Sequence, residues 1–194
     1  MKKFTSGGYV TNLISVISSV DHEKINSIVE VLLNARKNNK TIFIAGNGGS
    51  AATASHMVTD FMYSSKITGP KMKVYSLNEN ISVLTATGND KGFDEVFSRQ
   101  LENLASNGDV LILISASGNS INLLNCLPQC EKKNITTIGL TGFDGGSLKS
   151  KVNISLHVQT EMGSYGIVED THMVVGHIIT ELLKVQSAKE NING

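Results

Sequence analysis

Apolar positions recur along the first part of the chain at helical spacing. Val10, Leu13, Ile14, Ile17 and Val20 form one stripe, and after Asp21 a second runs through Ile25, Ile28, Val29 and Leu32. Residues three and four apart share a helix face, so the pattern predicts two amphipathic helices within about 8–37, the second capped by Asp21. Beyond them the pattern changes to short apolar or β-branched runs: Thr41 to Ala45, Met72 to Leu77, Val110 to Ser115, Ile135 to Leu140 and Val152 to Val158. Segments of helical patterning separate these runs. A last amphipathic stripe extends from about Ile167 to Lys184, ahead of a polar tail, Gln186 to Gly194, that is expected to fray. Strand and helix in alternation specify an α/β fold, a three-layer α/β/α arrangement around a five-stranded parallel sheet, with the N-terminal helices as an addition. The α/β core occupies about 40–186, and residues 1–194 read as a single domain.

Charge narrows the partners. The 194 residues carry 17 Lys and Arg against 17 Asp and Glu, and the basic residues are scattered, so the electrostatic footprint of a nucleic-acid-binding protein is missing. No apolar run is long enough to span a bilayer, and the start, Met1 to Gly8, lacks the apolar stretch of a secretion signal; a cytoplasmic protein without membrane partners is expected. Cys126 and Cys130 are too few for a disulfide framework and read as buried or half-buried thiols.

In parallel α/β sheets ligands bind beyond the carboxyl ends of the strands. The first run ends in Gly46-Asn47-Gly48-Gly49-Ser50, where glycines allow a sharp turn with bare N–H groups and Ser50 opens a helix whose positive N-terminus suits a phosphate. His56 and Asp60 follow on that helix, four residues apart and on one face. The third run ends in Ser115-Ala116-Ser117-Gly118-Asn119-Ser120, a second small-residue loop rich in hydroxyl and N–H donors, leading into a helix at Asn122. Thr87-Gly88-Asn89-Asp90, after the second run, and Thr141 to Ser147, after the fourth, add further loops of this kind. One such loop is ordinary turn chemistry; four on one predicted sheet edge indicate a polar ligand pocket.

Nucleotide readings fit poorly. Gly46, Gly48 and Ala51 satisfy a loose dinucleotide pattern, but Lys71, Met72 and Lys73 stand where an acidic ribose ligand is required, and no Gly-Lys-Ser or Gly-Lys-Thr follows the glycines. No nucleotide cofactor is expected. Among the other histidines, His172 sits on an apolar stripe and reads as core or interface, while His22 and His157 read as surface or strand residues without partners. Asp170 favours the start of the last helix through its dipole, and Asp144 before two glycines reads as a turn former.

The chain resembles SIS-domain proteins of the sedoheptulose-7-phosphate isomerase (phosphoheptose isomerase) family. The resemblance rests on Gly46 to Ala52 with His56, Asn89-Asp90 with Gly92-Phe93 and Phe97 to Arg99, Ser115 to Ser120 with Asn122, Thr141-Gly142 with Gly145-Gly146, and the helix bearing His172 and His177. It implies a homotetramer that interconverts a seven-carbon ketose phosphate and its aldose for surface heptose synthesis. Position by position it implies substrate contacts at Asn47, Gly48, Gly49, Asn89 and Asp90, and a phosphate cradle at Ser115, Ala116, Ser117 and Ser120. It also implies a zinc site at His56, Asp60, Glu169 and His177, with Asp60 and Glu169 serving substrate as well. This chain has Ala116 where the family has Thr, Asp60 where it has Glu, and Glu169 where it has Gln.

An aldose–ketose isomerase must move a proton between adjacent carbons through an enediol. Asp60, or Glu169 if Asp60 falls short, is the expected shuttle base, with His177 serving ring opening or carbonyl polarisation and a metal acting as Lewis acid. Glu169 and His177 lie eight residues apart, about 12 Å along an ideal helix. Both reach one small centre only if Glu169 sits in a distorted first turn or a neighbouring subunit supplies one of them. An active site at a subunit interface is therefore expected. The alternatives are an isomerase of another sugar phosphate, or a non-catalytic SIS tetramer that binds a protein partner or senses sugar phosphates.

Overall fold

The computed structural model describes residues 5–64 and 71–192. Two helices, α1 (Ser6–Ser18) and α2 (His22–Lys37), precede β1 (Thr41–Gly46). The Asp21 carboxylate accepts from the Lys24 N–H at 3.0 Å, so the expected cap is in place. There follow α3 (Gly49–Ser64), β2 (Lys73–Ser76), α4 (Ile81–Asp90), a 3-10 turn (Phe93–Glu95), α5 (Ser98–Leu104) and β3 (Val110–Ser115). The chain continues through α6 (Ile121–Leu124), α7 (Leu127–Lys132), β4 (Thr136–Thr141), α8 (Leu148–Lys151), β5 (Ile154–His157) and α9 (Tyr165–Ile192).

All five strands are parallel, in the order β2-β1-β3-β4-β5. Successive strand residues point to opposite faces, which is why β3 is buried at every position and both faces carry a helical layer. On one face Ile42, Ile44, Ile112 and Ile138 pack with Ile28 and Leu32 of α2, Phe61 of α3 and Ile179 of α9. On the other, Phe43, Leu111 and Leu113 meet Phe97, Leu101 and Cys130. The three-layer α/β/α architecture is the one the apolar runs predict.

Two local expectations fail. The tail is not frayed from Gln186: α9 continues to Ile192, because Ser187 is buried and receives a hydrogen bond from the Arg36 guanidinium of α2, a contact invisible to local polarity. Residues 193–194 and 1–4 lie outside the described residues. Asn89 and Asp90 do not form a strand-end loop but close α4, a helix that buries none of its residues.

Candidate active site

The connection from β1 leads to β2 on one side while β3 pairs on the other, so the strand order reverses between β1 and β3. In such sheets this reversal opens a crevice at the carboxyl ends. Both small-residue loops lie there. After β1, Gly46 is clamped by Asn78, whose Oδ1 accepts from Gly46 N–H at 3.2 Å and whose Nδ2 donates to Gly46 O at 2.8 Å. Gly48 takes φ +55°, a conformation that glycine adopts without penalty, and Gly49 begins α3. After β3, Ser115 Oγ lies 3.2 Å from Ser120 Oγ and accepts from Gly118 N–H at 3.0 Å, while Ser117 Oγ accepts from Asn119 N–H at 3.2 Å. Gly118, at φ +64°, packs against the Gly145 carbonyl. Three more hydrogen bonds join this loop to the one after β4: Gly142 N–H to Ala116 O at 3.0 Å, Leu148 N–H to Gly118 O at 2.9 Å, and Ser147 N–H to Asn119 Oδ1 at 2.9 Å. Hydroxyls and amides are thereby held together in one hydrogen-bonded cluster.

The two loops touch. Asn47 Nδ2 donates to Asn122 Oδ1 and Asn122 Nδ2 donates to Asn47 Oδ1, each at 2.9 Å. Asn122 is buried; it belongs to the motif quoted from the sequence, but sequence reasoning gave it no role, and it missed Asn78.

Helices α3 and α9 lie side by side, with Gly49 against Glu169, Met57 against Gly176, and His56 against His177. These pairings advance together along both helices, so the two run parallel. At the His56 level the Nε2 atoms of His56 and His177 stand 3.0 Å apart, and Asp60 Oδ2 lies 3.5 Å from the first and 3.7 Å from the second. Two imidazole nitrogens and a carboxylate oxygen thus converge. The edges of a tetrahedral zinc site with Zn–N near 2.0 Å are about 3.3 Å, so this donor set and its spacing suit a divalent metal with a position left open.

Glu169 is not among the converging groups. It sits in the second turn of an undistorted α9, two turns before His177, and its carboxylate rests where a Cβ on residue 49 would lie. The distorted first turn that would have brought it in does not occur: helical rise carries it past the cluster to the loop level. Asn89 and Asp90 are exposed, and the side-chain hydrogen bond they make joins them to each other at 2.8 Å.

His172 is fully buried, with neither ring nitrogen in hydrogen-bond geometry; desolvation lowers its pKa to about 4 against a weaker opposing pull from the Thr141 backbone. The expectation that His157 lacks partners is wrong. Its Nδ1 lies 3.1 Å from Thr141 Oγ1, which β4–β5 pairing sets opposite it, and its Nε2 lies 3.3 Å from Gln159. Asp170 accepts from the Tyr9 hydroxyl at 2.6 Å, tying α1 to α9 and raising the Tyr9 pKa. Asp144 accepts from Gly146 N–H within its own turn. Cys126 and Cys130 are buried free thiols; burial raises both pKa values, that of Cys130 to about 12, which leaves them protonated and unreactive. A cavity of about 710 Å³ opens at the opposite end of the sheet, beside Leu127, Cys130 and Lys151, and its lining includes none of His56, Asp60, Glu169 and His177.

Residues 7–142 match the SIS domain model, so the parallel sheet with two interlocked small-residue loops at its switch point is that of an SIS domain. Among sequence relatives, the phosphoheptose isomerase of Sulfurimonas denitrificans is 36% identical over 170 residues, covering 88% of this chain and 86% of that protein. That of Clostridium acetobutylicum is 36% identical over 171 residues, with coverage of 88% and 86%. The structure of phosphoheptose isomerase GmhA from Neisseria gonorrhoeae superposes with a TM-score of 0.83 at 28% identity, covering 92% of this chain and 96% of that one. The chain belongs to the phosphoheptose isomerase family.

Proposed function

We propose that this protein is an aldose–ketose isomerase that interconverts sedoheptulose 7-phosphate and glycero-manno-heptose 7-phosphate, supplying heptose for surface glycans. The observation that carries the reading is the convergence of His56, Asp60 and His177 on α3 and α9, two turns along α3 from the β1 loop, in a chain of this family. A scaffold or sensor has no use for that cluster. The serines at 115, 117 and 120, with the loop amides including that of Ala116, bind the phosphate, and the backbone of Asn47, Gly48 and Gly49 lines the sugar. His56 lies seven residues beyond Gly49, about 10 Å along α3. A phosphorylated seven-carbon chain spans such a distance and a triose phosphate does not, which favours a long substrate.

His56, Asp60 and His177 would hold zinc, which supplies Lewis acidity toward the enediolate oxygens. Asp60, through the carboxylate oxygen left off the metal, takes a proton from C1 of the open-chain ketose and returns it to C2, while His177, through the ring nitrogen left off the metal, moves the proton lost by O1 to O2. One C–H and one O–H bond break and one of each forms, so no co-reactant is needed. Earlier, as the ring opens, His177 gives the ring oxygen a proton and takes up the one that the anomeric hydroxyl loses as it becomes the carbonyl. Glu169, at the level of Gly49, accepts hydrogen bonds from sugar hydroxyls on the phosphate side of the reacting carbons. Asn89 and Asp90 complete the sugar pocket at the free end of α4.

No helix among the described residues is long and apolar enough to cross a membrane. The reading places the enzyme in the cytoplasm as a homotetramer. Val10 and Ile14, uncovered on a helix without charged residues, support assembly through α1. The test is a panel of ketose phosphates of three to seven carbons, incubated with zinc or chelator and followed for aldose. Turnover of the heptulose phosphate is expected, and His177→Ala should reduce it about 10²- to 10⁴-fold while sugar-phosphate binding persists. Silence across the panel, or a fully active His177→Ala enzyme, refutes the assignment.

A further inference from the structure

The reciprocal amide pair between Asn47 and Asn122 is the one direct side-chain link described between the loop that receives the sugar and the loop that receives the phosphate. Each amide uses its oxygen and one N–H on the other, across 75 positions of sequence. The side chain of Asn47 is therefore turned along the crevice toward Asn122. What Asn47 presents to a ligand is its backbone and the remaining N–H, and both are fixed only as well as the pair is fixed. Asn122 is 3% exposed and two residues past Ser120, so its position follows the cradle. Its own placement is reinforced from below, where Cys126 Sγ donates to Asn122 O at 3.4 Å. On the other side of the first loop, Asn78 holds the Gly46 amide and carbonyl. The first loop is thus held from two sides at its start, Gly46 by Asn78 in the segment after β2 and Asn47 by Asn122 beside the phosphate cradle.

We propose that Asn122 is a positioning residue for isomerisation: through Asn47 it fixes the distance and orientation of the sugar loop relative to the phosphate cradle. It touches neither phosphate nor reacting carbons. Without the pair, phosphate still binds to the serines, but the carbonyl end is presented in many orientations, and errors of about an ångström near the chemistry are costly. The inference rests on the isomerase reading for its turnover arm; its binding arms stand apart from it.

The experiment uses the full chain as wild type, Asn122→Ala, the near-isosteric Asn122→Asp, Asn47→Ala, and the Asn47→Ala/Asn122→Ala double variant. Inorganic phosphate affinity, sedoheptulose 7-phosphate affinity, kcat and thermal midpoint are measured on each. Each single variant is expected to lower kcat/KM about 10- to 100-fold, the range corresponding to one or two lost buried hydrogen bonds. Affinity for inorganic phosphate should stay within about threefold of wild type, and the double variant should be no worse than either single one. Asn122→Asp keeps the shape but sets a carboxylate oxygen against Asn47 Oδ1, so it should fold and still lose kcat/KM. The proposal is overturned if Asn122→Asp matches wild type, if the two alanine effects multiply independently, or if inorganic phosphate affinity falls as far as that of the sugar phosphate. A wild-type protein inert toward every ketose phosphate overturns the isomerase reading instead; sugar-phosphate affinities that still respond non-additively would then uphold the loop linkage alone.

Discussion

The loops after β1 and β3 leave neighbouring parallel strands at the same sheet edge, and both are built from glycine and small polar residues, yet they are held in opposite ways. The β1 loop runs into a helix of 16 residues that carries His56 and Asp60, and its most exposed residue, Gly48, has nothing within 4 Å of where a side chain would begin. The β3 loop runs into a helix of four residues and is pressed against the loop after β4, with Gly118 in contact with the Gly145 carbonyl. The first loop presents chemistry on a rigid helix and stays open to the ligand. The second is a packed cradle whose shape depends on its neighbours. A glycine that looks the same in sequence therefore does two jobs, conformational freedom in one loop and close backbone approach in the other.

The largest expected effect comes from Gly118→Ala. A Cβ there would overlap the Gly145 carbonyl, and the φ of +64° already disfavours a side chain. Backbone strain and separation of the two loops together should cost about 3 kcal/mol or more. Thermal unfolding and phosphate titration should both register it, with phosphate affinity down at least about tenfold. A variant with wild-type stability and affinity would show that the cradle does not depend on the loop behind it.

Next in size is an acid-sensitive prop beneath that backing loop. His172 lies buried by Thr141, one residue before Gly142, and Gly142 packs on Ala116 and on Val168 of α9. Its folded-state pKa, about 4, lies below the usual 6.5, so the unfolded chain takes up the proton first. Stability is full above about pH 6.5 and falls as pH drops from there toward 4, by about 3 kcal/mol at most, since each pKa unit is worth about 1.4 kcal/mol. His157, the other histidine beside it, adds to the effect because its positive charge opposes a second one. Thermal midpoints measured between pH 7 and 4 should fall for the wild type and fall less for His172→Leu. Equal acid slopes in the two proteins would remove His172 from the account.

Much of this contrast can be seen in the sequence, and the failures share a cause. Strand ends and the Asp21 cap are signalled by neighbours in the chain, so the sheet edge and the loops facing it are legible. Helical rise alone separates Glu169 from His177, and the structure keeps them apart. The meeting of His56 with His177 bridges 121 positions and entered only through family resemblance. The Asn47–Asn122 pair and the Asn78 clamp left no local signal, because an asparagine in a loop reads as a turn former whatever it faces across the crevice. Asn89 and Asp90 mislead for the same reason: Gly88 and Asn89 look like a turn, but α4 carries the helix through them. Tertiary contact decided the tail as well, through Arg36 and Ser187.

The smallest expected effect tests the open side of the comparison. Gly48→Ala places a methyl group in empty space, so its cost is the left-handed backbone alone, about 1 kcal/mol, or a shift of about 3 °C in thermal midpoint for a chain of this length. Inorganic phosphate, bound by the serines of the other loop, should keep its affinity. The sugar phosphate need not, because the methyl group points into space that the ligand would cross if the bare amides of Asn47 to Gly49 are its contacts. A raised KM for the heptulose phosphate with unchanged phosphate affinity would locate the sugar at Gly48. An unchanged KM would move the sugar away from this loop and leave the glycine with a conformational role only.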